Sequence, residues 1–240
     1  MKKNAKGITM IGAAVVLVAA LVTVILKTAG GSLDVVGKES VTSFGTVLNA
    51  ASGKVTADDA NAGWSLEAPD GSVQFIWSED YSRSPLHDVM LEFDAAPFVN
   101  AGLDTAKLPK NYAAYEGMLM VGTKLGSDKL TYKGDPTPLS AYEQIVGKYR
   151  GSVGYHTALD HYNVSLGDGN LFEWARDMKV NKSTNANQDK DIVFVLNPEP
   201  LIAAGVDPQK VDGWAYTTVK VDIDGKPTDV YKFLKPFNLQ

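Results

Sequence analysis

The fold is decided by two stretches that align without a gap: residues 88–109, DVMLEFDAAPFVNAGLDTAKLP, and residues 191–212, DIVFVLNPEPLIAAGVDPQKVD. They start about 103 positions apart, and many of their differences exchange one apolar residue for another. The identical pairs are Asp88/Asp191, Pro97/Pro200, Ala101/Ala204, Gly102/Gly205, Asp104/Asp207 and Lys107/Lys210. Chance does not produce this many matches in so short a stretch, so the chain contains one unit twice.

The match continues upstream, where residues 75–77, FIW, align with residues 172–174, FEW. The repeated unit is about 100 residues long, which is the size of a small domain and longer than most solenoid repeats. We therefore predict an α+β fold with two tandem homologous repeats, residues 39–132 and 139–240, joined by a linker at 133–138. Each repeat is expected to pack a helix on an antiparallel sheet.

Local patterns predict the elements of each repeat. Residues 41–51 and 139–146 carry apolar side chains at the i, i+3, i+4 spacing of amphipathic helices. Asp-Gly pairs separate strand-like runs and predict hairpins with positive φ at the turn. These pairs lie at residues 70–71, 168–169 and 224–225, and the last gives the strongest signal because residues 219–233 alternate on both sides of it.

The preserved block itself predicts a strand and then a short helix. Asp94 and Asn197 follow the strand and can accept hydrogen bonds at the helix N-terminus, and a left-handed glycine is expected at its end. A further strand is expected near residues 117–121 and 217–221. We interpret the identities at Asp104/Asp207 and Lys107/Lys210 as turn residues rather than as catalytic pairs.

The N-terminus predicts a membrane anchor. Residues 8–26 form an uncharged apolar run that is long enough to cross a bilayer as a helix, and Lys2, Lys3 and Lys6 precede it. This arrangement places residues 1–6 in the cytoplasm, the anchor at 7–27, a flexible tether at 28–38 and the remainder outside. A cleaved signal peptide is the alternative, but its apolar centre is normally shorter, so we favour an uncleaved anchor.

Composition narrows the possible partners. The sequence contains no cysteine, which excludes disulfides, a lipid-modified cysteine and thiolate metal sites. Beyond residue 27 there are 19 basic and 28 acidic residues, so the part predicted to be exported has a net charge of about −9. Nucleic acid is therefore not expected as a partner, because a polyanion is bound through a basic surface.

The best candidates for catalysis are His156, Asp160 and His161. Imidazole and carboxylate groups this close in sequence could form a metal or general-base site. However, residues five apart share neither a helical face nor a strand face, so a loop would have to bring the two rings together. We regard the three residues as weak candidates.

A calcium site is the weaker of two interpretations for Asp222, Asp224 and Asp229. Alternating carboxylates and a glycine resemble the start of a calcium-binding loop. The expected glutamate further on is missing, since residues 231–235 supply no carboxylate. A hairpin turn explains the pattern better, and no cofactor or metal is expected.

Aromatic residues supply the remaining candidates. Trp77 and Trp174 occupy equivalent positions in the two repeats, which favours a role in the core. Trp64, Trp214 and Tyr216 have no aromatic counterpart in the other repeat, so we predict that they bind a ligand.

These observations predict a non-catalytic protein. We expect a membrane-anchored, extracytoplasmic binding or interaction module of the cell envelope that holds a protein, peptide or glycan in a groove between the repeats, because binding sites favour domain junctions. An envelope hydrolase that uses Asp, Glu and His residues is one alternative. A structural subunit of a membrane complex, bound through the apolar helix, is the other.

Overall fold

The computed structural model describes residues 35–239, apart from positions 52, 60, 85–86, 149–152, 157–158, 177, 179–189 and 224–225 and the side chains of residues 220–223. This part of the chain is an α+β structure with two six-stranded antiparallel sheets and few helices. In the described residues no helix is long and apolar enough to cross a membrane. The predicted anchor at residues 8–26 lies outside them.

The first half forms one sheet in the order β1-β2-β3-β4-β6-β5. A short 3-10 turn, Thr105–Lys107, lies between α2 and β5. The helices and strands are α1 (Val35–Ala50), β1 (Val55–Asp58), β2 (Gly63–Glu67), β3 (Val73–Ser78), β4 (Val89–Asp94), α2 (Ala96–Asn100), β5 (Tyr112–Tyr115) and β6 (Met118–Thr123).

The second half forms the other sheet in the order β7-β8-β9-β10-β12-β11, which repeats the first order strand for strand. Its elements are α3 (Pro138–Lys148), β7 (Val153–His156), β8 (His161–Ser165), β9 (Leu171–Ala175), β10 (Ile192–Leu196), α4 (Glu199–Ala203), β11 (Ala215–Ile223) and β12 (Lys226–Phe237). The shared order is consistent with two repeats of one unit.

Most of the local predictions are confirmed. The three hairpins form, and Asp168 and Gly169 both have positive φ, as expected, whereas only Gly71 does so in the first copy. Two details differ. Helix α1 begins at Val35, inside the predicted tether, and the strands expected near residues 117–121 and 217–221 are not equivalent, because they belong to β6 and β11.

The two halves share one hydrophobic core. Phe75 stacks on Phe172, its counterpart in the other half, with ring centroids 4.2 Å apart and planes 6° apart. Phe44 and Tyr142, which occupy similar positions in α1 and α3, also lie 4.2 Å apart. Equivalent residues can contact each other only beside an approximate twofold axis, so these pairs locate the axis relating the halves.

The helices are exchanged between the halves. Helix α1 packs on β7 of the second sheet, and α3 packs on β2 and β3 of the first. Trp77 donates a hydrogen bond to the Pro138 carbonyl oxygen (2.9 Å), while Trp174 donates to Ser43 Oγ (3.2 Å). Both indoles are fully buried, which confirms their predicted place in the core. Each repeat therefore packs a helix on the sheet of the other repeat, which the sequence did not indicate.

The preserved block forms a second contact between the halves. Gly102 and Gly205 both have φ +107°, which confirms the left-handed conformation, and a Cβ on either would lie 2.8 Å from the other's carbonyl oxygen. Beside them, the Asp104 amide donates to the Ala204 carbonyl and the Asp207 amide to the Ala101 carbonyl, both at 2.8 Å. Glycine is required there because the two backbones touch.

The identical carboxylates of the block are structural. Asp104 and Asp207 accept hydrogen bonds from the Ala106 and Gln209 amides and pair with Lys107 and Lys210. Asp88 accepts from the Leu125 and Gly126 amides and pairs with Lys124 Nζ at 2.7 Å. Asp191 likewise accepts from the Leu239 amide at 2.9 Å. These contacts support the interpretation of Asp104 and Asp207 as turn residues and give Asp88 and Asp191 a structural role as well.

Candidate functional site

The predicted ligand-binding aromatics lie in different surroundings. Trp64, on β2, is half-buried opposite Trp77 of β3. Trp214 is only 8% exposed, and its ring packs 5.6 Å from both Phe93 and Phe98 of the first half. Trp214 therefore contributes to the contact between the halves. Tyr216, at the start of β11, is half-buried at the margin of the core.

Tyr216 stacks on a second tyrosine that the sequence analysis missed. Its ring lies 4.8 Å from that of Tyr231, with 15° between the planes, and 5.3 Å from Phe233. Tyr231 is 55% exposed. Partial burial, and then the neighbouring Tyr231, raise the pKa of Tyr216. The hairpin predicted at residues 224–225 could have revealed this pair. A two-residue turn there fixes the register of β11 and β12, and this register puts Tyr231 diagonally opposite Tyr216 on the same face of the hairpin.

The tyrosine pair lies on a hairpin that extends past its sheet. Strand β12 pairs with β10 only through Phe233–Phe237, whereas residues 226–232 pair only with β11. In the first half, β6 pairs with β4 along its full length. The nine residues of β11 also form the edge of the sheet, whereas β5, the corresponding edge, has four. The second half thus presents a longer and more accessible strand edge.

The structure brings His156 and His161 together. They are directly opposite each other on β7 and β8, and their Nδ1 atoms lie 3.8 and 3.9 Å from the same oxygen, Glu173 Oε2. At these distances the contacts are too long for hydrogen bonds, and each is an ion pair only when its imidazole carries a proton. All three side chains are buried, and Glu173 is only 4% exposed. The three residues form what we call the His-Glu cluster.

Asp160 does not belong to the His-Glu cluster. Its carboxylate pairs with Arg176, with 2.9 Å between Arg176 Nε and Asp160 Oδ1, and accepts a short hydrogen bond from Tyr155 Oη. Glu173 takes the place that Asp160 was expected to fill. One signal could have identified Glu173. The repeat alignment pairs it with Ile76, so Glu173 is a charged residue at a position that is apolar in the other repeat.

The electrostatics of the His-Glu cluster depend on burial. Burial alone raises the pKa of Glu173, but the two imidazoles outweigh it and lower that pKa to about 2. His156 Nδ1, His156 Nε2 and His161 Nδ1 are buried without a hydrogen-bond partner in the described structure. A charged carboxylate and polar ring atoms therefore share a site that water does not reach, where an ionic contact is much stronger than at the surface.

The described residues contain no group of three or more His, Cys, Asp or Glu side chains suited to hold a metal ion. This result tests the predicted calcium site only in part, because two of its three aspartates are not fully described. Asp229 is an exposed residue of β12, whereas Asp224 and the Asp222 side chain lie outside the described part of the chain.

Comparison of the chain with protein-family models, with curated proteins and with solved structures finds no match.

Proposed function

We propose that the chain is a membrane-anchored, extracytoplasmic binding module of the cell envelope, built from two homologous repeats, and that its ligand is a segment of a partner protein. The sequence supports the location, because residues 8–26 are apolar and uncharged, and Lys2, Lys3 and Lys6 precede them. The acidic remainder disfavours nucleic acid as the partner.

The single observation that carries the binding proposal is the exposed Tyr231, stacked on Tyr216 in the hairpin that extends past its sheet. A two-stranded ribbon is only marginally stable alone, so an extension of this length is costly unless a ligand uses it. Tyrosine is also a frequent hot-spot residue, because its rigid ring buries much area at low entropic cost. The seam between the halves, where the sequence suggested a groove, is filled by Phe75 and Phe172.

The edge of β11 favours an extended peptide as ligand. In an antiparallel edge strand about half of the residues direct their N–H and C=O groups outward, which would be about four or five of the nine in β11. Such an edge is a template for one more strand, and main-chain hydrogen bonds then supply affinity while side chains supply specificity. Tyr231 and Tyr216 would contact the side chains of the added segment.

Site-specific photocrosslinking in the native membrane tests this proposal. A benzoylphenylalanine at position 231 is expected to crosslink to an extended segment of another protein. The same probe at Tyr115 is the matched control, because Tyr115 is 64% exposed on the corresponding hairpin of the first half. Equal adducts at both positions, no adduct at 231, or adducts to glycan or lipid alone would contradict the proposal.

A binding measurement completes the test. A synthetic peptide of the crosslinked segment should bind the full chain, and Tyr231→Ala should weaken binding about tenfold, which is a typical loss for an aromatic anchor. Tyr115→Ala should leave the affinity unchanged. Equal losses in the two variants would show that the hairpin of the second half is not the binding surface.

A further inference from the structure

The His-Glu cluster occurs in only one of two otherwise similar sheets. The equivalent positions of the first half, given by strand order and register, are Asp58, Gly63 and Ile76. Ile76 is as buried as Glu173, so the position itself is a buried one in both sheets. A glutamate there is unusual, since carboxylates are rarely buried unless they are paired.

The charge of Glu173 requires a positive partner. A buried carboxylate without one costs several kcal/mol of desolvation free energy. Its direct neighbours across the sheet are Asn163 of β8 and Val193 of β10, neither of which can carry charge. The described ion pairs give it only the two imidazoles as partners.

The charged side chains that the structure describes beside the His-Glu cluster, Asp160 and Arg176, are already paired. Asp160 and Arg176 bind each other beside the cluster, and Tyr155 donates its hydroxyl hydrogen bond to Asp160. The remaining direct cross-strand neighbour of the two histidines is Ala175 of β9, which does not titrate. Among the residues that the structure describes, only a proton on one imidazole, or on the carboxylate itself, can make the cluster neutral.

We propose that His156, His161 and Glu173 form a proton-binding site, in which one proton shared by the two imidazoles and the carboxylate links the stability of the second sheet to pH. The near-equal distances, 3.8 and 3.9 Å, let either ring carry the proton. Loss of the proton leaves an uncompensated buried negative charge, which is the costly state of a broken buried ion pair.

The direction of the pH effect follows from the protons bound in each state. Above about pH 6.5 the imidazoles of an unfolded chain are mostly neutral, so a cluster that keeps its proton gives the folded chain one proton more than the unfolded chain. Stability therefore falls as pH rises. Urea unfolding of the full chain in detergent should show an unfolding equilibrium constant that grows by up to about tenfold per pH unit between pH 7 and 9.

Glu173→Gln is the matched variant, because it keeps the shape of the side chain and removes its charge. Its unfolding equilibrium constant should not change with pH over the same range, except for the change that other titratable groups cause equally in both proteins. A wild-type slope no steeper than that of the variant would overturn the proposal.

A second measurement needs only the wild-type chain. The three histidines can be followed by ¹⁵N NMR of the imidazole rings, and His87 is an internal reference, since burial lowers its pKa by more than the Asn111 backbone and the Asp88 carboxylate raise it. At pH 8 we expect His87 to be neutral and cationic character to be present in the His156 and His161 signals. Two neutral rings at pH 8 would overturn the proposal even if Glu173→Gln failed to fold.

Adding a metal ion distinguishes a site that binds a proton from a site that binds a metal cation. Zn²⁺ alone should not raise the unfolding midpoint of the wild-type chain above that of Glu173→Gln. A Zn²⁺-dependent increase confined to the wild-type chain and reversed by EDTA would overturn the proposal in favour of a metal site.

Discussion

The two sheets have the same strand order but differ in two regions. Where the first sheet buries Ile76, the second buries Glu173 between two histidines, and where the first ends in a short hairpin, the second extends β11 and β12 past its neighbours. Gly102 and Gly205, which both copies retain, lie where the halves touch. Shared residues therefore maintain the paired architecture, and the residues that differ are the better guide to function.

The largest expected effect comes from making the first sheet resemble the second. Ile76→Glu places a carboxylate where no imidazole can neutralise it, so we expect a loss of about 3–5 kcal/mol in the free energy of unfolding at pH 8. The cost should shrink towards pH 4 as the carboxyl group becomes protonated. Urea denaturation of the full chain measures this loss in the free energy of unfolding, with Ile76→Leu as the control.

Equal destabilisation by Ile76→Glu and Ile76→Leu would mean that the outer faces of the two sheets are electrostatically alike. The imidazoles would then not be what makes a buried carboxylate tolerable at position 173.

A smaller loss is expected where the halves are alike. Gly102→Ala must hold φ +107° and also bring its Cβ to 2.8 Å from the Gly205 carbonyl oxygen, so we expect a loss of about 2–3 kcal/mol. Gly117→Ala is the control, since Gly117 has φ +85° but no atom within 4 Å of the position that a Cβ would take. It should lose only about 1 kcal/mol, and thermal unfolding compares the two.

Similar midpoints for Gly102→Ala and Gly117→Ala would show that left-handed strain, and not the approach of the two backbones, explains why glycine is retained at this position in both copies.

The smallest effect on stability is expected at the hairpin. Tyr231→Thr and Tyr115→Thr replace exposed side chains with a residue that favours strands, so each should change the free energy of unfolding by less than about 0.5 kcal/mol. Urea denaturation of both variants gives the comparison. A loss above about 1 kcal/mol for Tyr231→Thr alone would mean that the tyrosine pair stabilises the hairpin rather than serving a partner.

The sequence predicts the features that depend on local signals. Alternation around Asp-Gly pairs indicated the hairpins, and the internal match indicated two similar halves. The short strands β1, β5 and β7 escaped notice, because four residues carry little periodicity. The exchange of α1 and α3 between sheets also escaped notice, since it depends on contacts between residues about 100 positions apart.

The candidate site was only partly predictable. Sequence spacing argued against contact between His156 and His161, because they share no face of a single strand. A tight turn, with Asp160 at φ +56°, reverses the chain and sets them opposite each other on two strands. Glu173 and Tyr231 could have been found by asking which residues break the symmetry of the repeat, rather than by seeking familiar motifs.

The exchanged helices have a consequence for synthesis. Because α1 packs on β7, and Phe44 and Phe75 contact Phe172, the first repeat cannot complete its core until the second repeat exists. Chains are synthesised at about 5–20 residues per second, so the delay for some 100 residues is on the order of ten seconds. During that interval the nascent chain exposes an aromatic surface whose partner has not yet been synthesised.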